Sequence, residues 1–438
     1  MNLRHLLDRR MAAGKPVRVA LIGAGKFGSM FLAQIPTSPG IEVAVIADLD
    51  PDRARRACAA VGWSEDRIAA TAFVDNGAEA IRTPGVEVVI DATGSPAAGL
   101  AHADAAIREG RHMVMVNVEA DVLAGPLMAE RARAAGTVYS MAYGDQPALT
   151  CEMVDWARSC GLEVVAAGKG TKYLPAFHAS TPDTVWPHYG VTPEAAAAAG
   201  MNPQMFNSFL DGTKSAIEMA AIANATGLVP PTDGLAFPPC GTRELAQVLR
   251  PRSAGGVLEH KGQVEVVSSL HRDGSPVERD LRWGVYCVFE APNDYTAACF
   301  RQYGLETDAT GRYAAMYKPF HLIGLELNIS VLSAALRGEP TGSTRAFAGD
   351  VASVAKKPLK TGEMLDGEGG HTVWGKLIPA RTSLDIGALP IGLAHGVKLV
   401  RDIAEGETVR WADVEIDETA PAAALRRQME RSNATAAQ

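Results

Sequence analysis

The sequence predicts an α/β protein: a parallel sheet wound with helices at the N-terminus, then an α+β region, then a small β-rich segment. Three observations carry this. The apolar run Val17-Arg18-Val19-Ala20-Leu21-Ile22 breaks directly into Gly23-Ala24-Gly25-Lys26-Phe27-Gly28, a strand passing through a glycine-rich turn into a helix. Strand and helix patterns then alternate to about Ser140, as a parallel sheet requires. Beyond residue 150 the pattern becomes one of mixed strands with helices to one side, and from about Thr344 short strands and turns take over.

The first element is a short helix over Asn2 to Arg10. In the glycine turn, Gly23 allows the sharp exit from the strand, Gly25 lets backbone approach a pyrophosphate, and Gly28 lets helix and strand pack closely. The helix opening at Lys26 and Phe27 offers unpaired N–H groups and a positive dipole end to phosphates. A second strand, Glu42 to Ala47, ends in Asp48, where dinucleotide folds place an acid for the ribose hydroxyls. Asp50 and Pro51 open the next helix as N-cap and first residue. A third strand, Val86 to Ile90, runs into Asp91-Ala92-Thr93-Gly94, whose small residues suit a loop beneath a nicotinamide. A fourth, Val114 to Val116, ends at Asn117-Val118-Glu119-Ala120-Asp121, and a fifth, Thr137 to Ser140, leads to Asp145. A helix from Ala148 to about Cys160 leaves this region. Leu162 to Gly170 reads as a strand ending in a Gly-Lys-Gly turn. Thr171 to Gly190, with Lys172, Tyr173, His178, Trp186, His188 and Tyr189, reads as a long functional loop. Thr192 caps an Ala-rich helix, a longer helix spans Ser215 to Gly227, strands follow near 263–270 and 281–290, and a helix ends near Arg337-Gly338. In the tail, 351–365 and 398–409 share one rhythm, a basic strand and then a turn containing Gly-Glu. Residues 420–438 read as a helical or frayed end.

The 438 residues suffice for two or three domains with a large core. A net charge of -8 with no long basic run argues against nucleic acid or an anionic membrane as the main partner. The six cysteines are scattered without a C-x-x-C pair, which indicates neither a zinc knuckle nor a disulfide framework. Met1 to Ala13 does not read as a signal peptide, and no charge-free apolar run of membrane-spanning length is present. These features describe a soluble, reduced, cytoplasmic protein.

The order of the nucleotide-binding region, Asn117-Val118-Glu119-Ala120-Asp121, Gly168-Lys169-Gly170, Asp211-Gly212-Thr213-Lys214, the block from Glu218 to Leu228, and Ala355-Lys356-Lys357 resembles the homoserine-dehydrogenase-like oxidoreductases with a C-terminal SAF domain, nearest to the 1-deoxy-D-xylulose 5-phosphate reductoisomerase-like proteins. The resemblance implies a Rossmann domain over 1–150, an α+β substrate and dimerisation domain over 151–343, a β-clip SAF-like domain over 344–418, a tail over 419–438, and a homodimer or homotetramer. It departs from the reductoisomerase-like pattern at Asp48: an acid near the ribose repels a 2′-phosphate, which favours NAD over NADP unless Arg53 or Arg55 reaches round.

These residues give the expected cofactor set: Gly23, Gly25, Lys26, Phe27, Gly28, Asp48, Thr93, Gly94, Asn117 and Glu119. For the chemistry, Lys169 is the first candidate, an ammonium able to polarise a ketone or hold an anionic group. Asp211 and Lys214 stand three apart at a helix start, with Asp211 alternatively an N-cap and Glu218 one turn on from Lys214. Glu119, Asp121 and Asp145 follow strand ends, where open α/β sheets bind ligands, and offer oxygens to a substrate or a divalent ion; their spacing is no metal motif. His321 and Lys318 are candidates for an anionic substrate group. The expected activity is NAD(P)-dependent hydride transfer to or from a small polar, phosphorylated or carboxylated hydroxy/keto compound. Alternatives are a reductoisomerase-like enzyme of isoprenoid precursor synthesis, a homoserine dehydrogenase, or a non-catalytic nucleotide- or sugar-sensing protein.

Overall fold

The computed structural model describes residues 2–436, and the side chains of 434–436 are outside the description; of the expected tail, residues 437 and 438 fall outside it. The chain divides into two compact units, Met1–Cys151 with His321–Arg345, and Glu152–Phe320 with Ala346–Gln438.

The first unit is built on a parallel sheet of β1 (Val17–Ile22), β2 (Ile41–Ala47), β3 (Ala72–Val74), β4 (Val88–Asp91), β5 (His112–Met115) and β6 (Tyr139–Met141), in the order β3-β2-β1-β4-β5-β6. This is the doubly wound dinucleotide-binding order. The short edge strand β3 is absent from the sequence reading, which counts five strands. Asp50 caps the helix Pro51–Ala60 as expected, its side chain accepting from Arg53 N. The helix Asn328–Arg337, expected in the substrate domain, belongs here. Val331, Leu332 and Ala334 share one buried cluster with Leu3, Leu7, Val17 and Val19, so the chain returns to complete the nucleotide unit's core.

The second unit holds a mixed sheet of β7 (Glu163–Thr171), β8 (Gln263–Ser268), β9 (Val285–Glu290) and β10 (Tyr313–Lys318), ordered β10-β9-β7-β8. β7 pairs parallel with β8 and antiparallel with β9. Gly168-Lys169-Gly170 therefore lies inside a paired strand and is not a turn. The segment expected as a long loop contains the 3₁₀ helix Pro175–Ala179 and the helix Val185–Tyr189.

The residues after 345 add β11 (Gly349–Ala355), β12 (Met364–Asp366), β13 (Val373–Pro379), β14 (His395–Leu399) and β15 (Val414–Glu415), as a β11–β13 pair and a sheet ordered β12-β14-β15. They do not separate as a unit at residue 344. The helix Thr213–Thr226 explains why: it packs against β7 and β8 and more extensively against β11 and β13, and every residue in it except Lys214 and Thr226 is buried. Its Ala-rich faces let backbone come close, and a Cβ on Gly349 would stand 3.4 Å from Ala223 Cβ. Asn224, buried in the last turn of that helix, accepts from Ala348 N and Gly349 N at 2.7 and 2.8 Å. The two similar tail segments pair with each other: Leu359 and Ile403 exchange backbone hydrogen bonds at 2.9 and 3.0 Å, and Leu399 N donates to Glu363 O. The last helix, Pro421–Ala436, is anchored through Arg426, which is fully buried against Asp350 and Glu430.

Candidate active site

In the nucleotide unit the three glycines differ in their surroundings. Gly23 has φ +95, and a Cβ there would meet Ala92 O at 2.6 Å; a Cβ on Gly28 would meet Gly23 O at 2.3 Å. Gly25 has nothing within 4 Å, and it is the N-cap of the helix Lys26–Gln34. The cradle is open where a pyrophosphate would lie and tight everywhere else, so the residues fit a dinucleotide. Gly25→Val is expected to weaken NADH binding about tenfold or more with little change in thermal unfolding. Gly28→Ala is expected instead to destabilise the protein by about 1–3 kcal/mol through overpacking. Fluorescence titration and denaturant unfolding of both variants check this.

Asp48 is nearly buried and its carboxylate is already engaged. Oδ2 accepts Ala24 N of the glycine loop at 2.9 Å, and Oδ1 accepts Asp50 N at 3.0 Å and Arg53 Nη2 at 2.6 Å. Arg53 does reach round, as Arg55 does not: Arg55 lies over the Phe73 ring and faces Asp52. Thr93 Oγ1 donates to buried Asp91 Oδ1 at 3.0 Å, and His102 Nδ1 lies 2.6 Å from Asp91 Oδ2. The Thr93 hydroxyl is thus turned into the protein. Asn117 braces two loops, its Nδ2 donating to Ser95 O and its Oδ1 accepting Ala120 N. Gly94 and Glu119 lie on the same loop side of the sheet, Glu119 half-buried in the first turn of the helix Val118–Ala134. Asp145, also half-buried, accepts Gln146 N at 2.8 Å. Asp121 is buried with Thr344 Oγ1 at 3.0 Å from both oxygens, and burial pushes its pKa up to about 6. Among the described residues no group of three or more His, Cys, Asp or Glu is placed to hold a metal ion.

In the second unit, the sheet and the helix Thr213–Thr226 bring Lys169 and Glu218 together. The Lys169 ammonium donates to Glu218 Oε2, and the two side chains are only 8% and 5% exposed. The sequence placed Glu218 one turn from Lys214; tertiary packing gives it Lys169. Asp211 is fully buried, and it is Gly212, with φ +93, that occupies the N-cap position. Asp211 Oδ1 still accepts Thr213 N at 2.9 Å, while Oδ2 faces Lys356 Nζ at 2.8 Å. Burial raises the Asp211 pKa and the Lys356 charge opposes that rise. Lys356 also donates to Ser180 O and Gly370 O, both at 2.7 Å. With every oxygen and proton of the pair engaged inside the protein, Asp211 serves as a brace here, while Lys214, half-buried on the same turn, is the more accessible of the two. Lys318 ends β10 in this unit, with its ammonium 5.2 Å from the Phe320 ring centre; half-buried His321 belongs to the other unit.

Sequence reading left His178 without a role, quoted Lys356 only within the motif Ala355-Lys356-Lys357, and missed Phe237 and Glu265. A cavity of about 210 Å³ opens beside His178, lined also by Gly212, Ala216, Phe237, Trp374 and Lys376. Burial lowers the His178 pKa, so the ring is neutral. Asp211 C=O, 2.7 Å from Nδ1, can only accept, so Nδ1 carries the proton and Nε2 accepts from Tyr173 Oη at 2.9 Å. Phe237 holds a strained φ of +49 and stacks on Tyr173 at 3.9 Å. Its strain is maintained by Glu265, which accepts Ala236 N and Phe237 N at 3.1 and 3.3 Å. One signal for Glu265 was readable: a lone carboxylate between valines in a strand with both faces buried.

Burial pushes the Glu265 pKa up from 4.5 to about 7. A folded-state acid pKa above its unfolded value means that the folded state holds the extra proton between them. Stability is therefore expected to fall as pH rises from about 4.5 to 7, by up to about 3 kcal/mol, and then to level off. Denaturant unfolding across pH measures this, and Glu265→Gln is expected to flatten that part of the profile.

Two family models match the chain. Residues 17–118 match the oxidoreductase family with an NAD-binding Rossmann fold, and residues 144–327 match the catalytic domain of oxidoreductase DRL. The chain is an NAD(P)-dependent oxidoreductase. That sets aside the non-catalytic sensor. The oxidoreductase matches no curated protein sequence. It is similar to a probable dehydrogenase from Thermotoga maritima at 14% identity over 74% of this chain and 90% of that one, with a TM-score of 0.39. A homoserine dehydrogenase from Thiobacillus denitrificans gives 18% identity over 48% and 49%, with a TM-score of 0.36. KijD10, a 3-ketoreductase from Actinomadura kijaniata solved with NADP, gives 20% over 36% and 50%, with a TM-score of 0.27. The oxidoreductase thus spans about half the length of the last two. Among its described residues no helix is long and apolar enough to cross a membrane.

Proposed function

We propose that the oxidoreductase transfers a hydride to or from a small polar hydroxy/keto compound carrying a phosphate or carboxylate, with Lys169 polarising the reacting oxygen. The observation behind this reading is the buried Lys169–Glu218 pair within the region matching an oxidoreductase catalytic domain. Holding an ammonium out of water is expensive, and a polarised group in low dielectric acts strongly on developing charge. The Lys169 ammonium donates a hydrogen bond to the carbonyl oxygen, stabilising negative charge as it forms there. Glu218 fixes the ammonium's position and balances its charge. Bound on the glycine loop, a nicotinamide dinucleotide supplies or takes the hydride. Loss of turnover in Lys169→Ala with cofactor binding retained supports the role; unchanged turnover removes it.

For the cofactor we favour NAD. Asp48 lies at the end of β2, tied to the loop through Ala24 N, and repels a 2′-phosphate. Exposed Arg53 offsets part of that charge, so NADPH is expected to bind, but more weakly than NADH, and Arg53→Ala is expected to weaken NADPH the more. Parallel fluorescence titrations measure both affinities; NADPH binding more tightly by about tenfold overturns the preference.

A reductoisomerase-like enzyme is the second reading, favoured by the match to the DRL catalytic domain; it requires a divalent ion, so activity abolished by a chelator and restored by magnesium supports it. Homoserine dehydrogenase is less favoured, because Asn117-Val118-Glu119 stands where a lysine is expected. We read the paired segments around Leu359 and Ile403 as a SAF-like element, and the assembly as a homodimer or homotetramer, which light scattering tests. Six free cysteines suit a reducing, cytoplasmic location.

A further inference from the structure

We infer that Lys172 and Arg282 form the subsite for the anionic group of the substrate, at the end of the strand that carries Lys169; this rests on the reading of Lys169 as the cation at the reacting oxygen. β7 ends at Thr171 and Lys172 is the next residue. Near that end, Gly170 N donates to Gly284 O at 3.1 Å, and the residues from 281 to 284 form a turn closed by Gly284 N donating to Leu281 O at 2.9 Å. A Cβ on Gly170 would stand 2.0 Å from Leu281 O and 2.9 Å from Arg282 N. Only a glycine there lets the turn sit on the strand, and the turn sets the Arg282 backbone against β7 two residues before Lys172.

The surroundings leave both charges uncompensated. The half-buried Lys172 ammonium donates to His188 C=O. The Arg282 guanidinium lies 4.7 Å from the Trp283 ring centre. The nearest acid in sequence, Asp280, accepts the Arg282 backbone N–H at Oδ1, 2.8 Å away. Among the described residues neither Lys172 nor Arg282 forms an ion pair. Burial, and then the Arg282 charge, push the Lys172 pKa down. His188 is lowered by burial and then by Lys172, so it adds no positive charge at neutral pH. Two half-buried cations with no counter-ion are relieved by a bound anion. A guanidinium fork grips two oxygens and an ammonium takes a third contact, which suits a phosphate or a carboxylate. Lys172 follows Lys169 by three residues, about 10 Å of extended chain.

The test is site-specific acylation of Lys172 in the full chain, read by mass spectrometry, with inorganic phosphate or acetate present. At ten times the dissociation constant an occupying anion is expected to slow labelling of Lys172 about tenfold, and Arg282→Met is expected to abolish that protection. Protection by phosphate alone identifies a phosphorylated substrate, and protection by both anions a carboxylated one. Equal labelling with and without either anion, or undiminished protection in Arg282→Met, overturns the subsite. The readout needs no turnover: the double variant Lys169→Met, Glu218→Leu, which leaves no buried charge unpaired, is expected to keep the protection, so failure of the Lys169 role and failure of this subsite are seen separately.

Discussion

Lys169→Met is expected to lower kcat by about 10²–10⁴-fold, the range for losing a positioned proton-donating group, while NADH affinity stays as in the wild type. The glycine loop that would hold the dinucleotide belongs to the other unit. One complication has to be separated out. Glu218 is almost fully buried, and removing its cation leaves an uncompensated charge, at a cost of about 3–5 kcal/mol. A loss of activity in the single variant could then reflect unfolding. The double variant Lys169→Met, Glu218→Leu removes both charges and is expected to recover most of the stability, because replacing a whole buried pair by apolar groups is often neutral. It should remain inactive. Steady-state kinetics beside denaturant unfolding distinguishes the cases: a stable, active double variant would take Lys169 out of the chemistry.

Arg426→Met is expected to destabilise the protein by about 3–5 kcal/mol without altering NADH binding. Arg426 is the largest fully buried side chain among the described residues. Its Nη2 and Nη1 lie 2.5 and 3.1 Å from the two oxygens of Asp350, and its Nε lies 2.8 Å from Glu430 Oε1. Ser383 Oγ adds a hydrogen bond to Asp350 Oδ2 at 2.5 Å. Truncating the arginine strands the fully buried Asp350 carboxylate, while Glu430 keeps Arg427 Nη1 at 2.9 Å. Asp350 lies on β11, the strand packed on the central helix Thr213–Thr226, so the damage should spread through the second unit. Adding Asp350→Asn is expected to restore part of the loss. A change under about 1 kcal/mol in the single variant, the size typical of an exposed pair, would show that this network carries little of the stability.

Much of the nucleotide unit was legible. The strand, glycine turn and helix, the Asp50 cap and the acid at Asp48 all depend on residues close in sequence. The edge strand β3 was missed because Ala72-Phe73-Val74 is too short to show a period. Gly168 and Gly170 misled for a different reason. Glycine marks a turn or a close backbone approach equally well, and here Glu265 O and Leu281 O occupy the places where their Cβ atoms would be.

What the sequence determined by itself was the nucleotide frame, the existence of most strands and helices, and the presence of a lysine and acids where chemistry is expected. Only the tertiary structure decided which charges meet: Lys169 with Glu218, Asp211 with Lys356, Arg426 with Asp350. It also decided that the helix Asn328–Arg337 completes the nucleotide core and that β11 and β13 share a helix with β7 and β8. The physical reason is range. Caps, turns and periodicity act over a few residues and leave a local trace, whereas a buried charge takes whichever partner the packed layers bring to it, and that partner can be far along the chain.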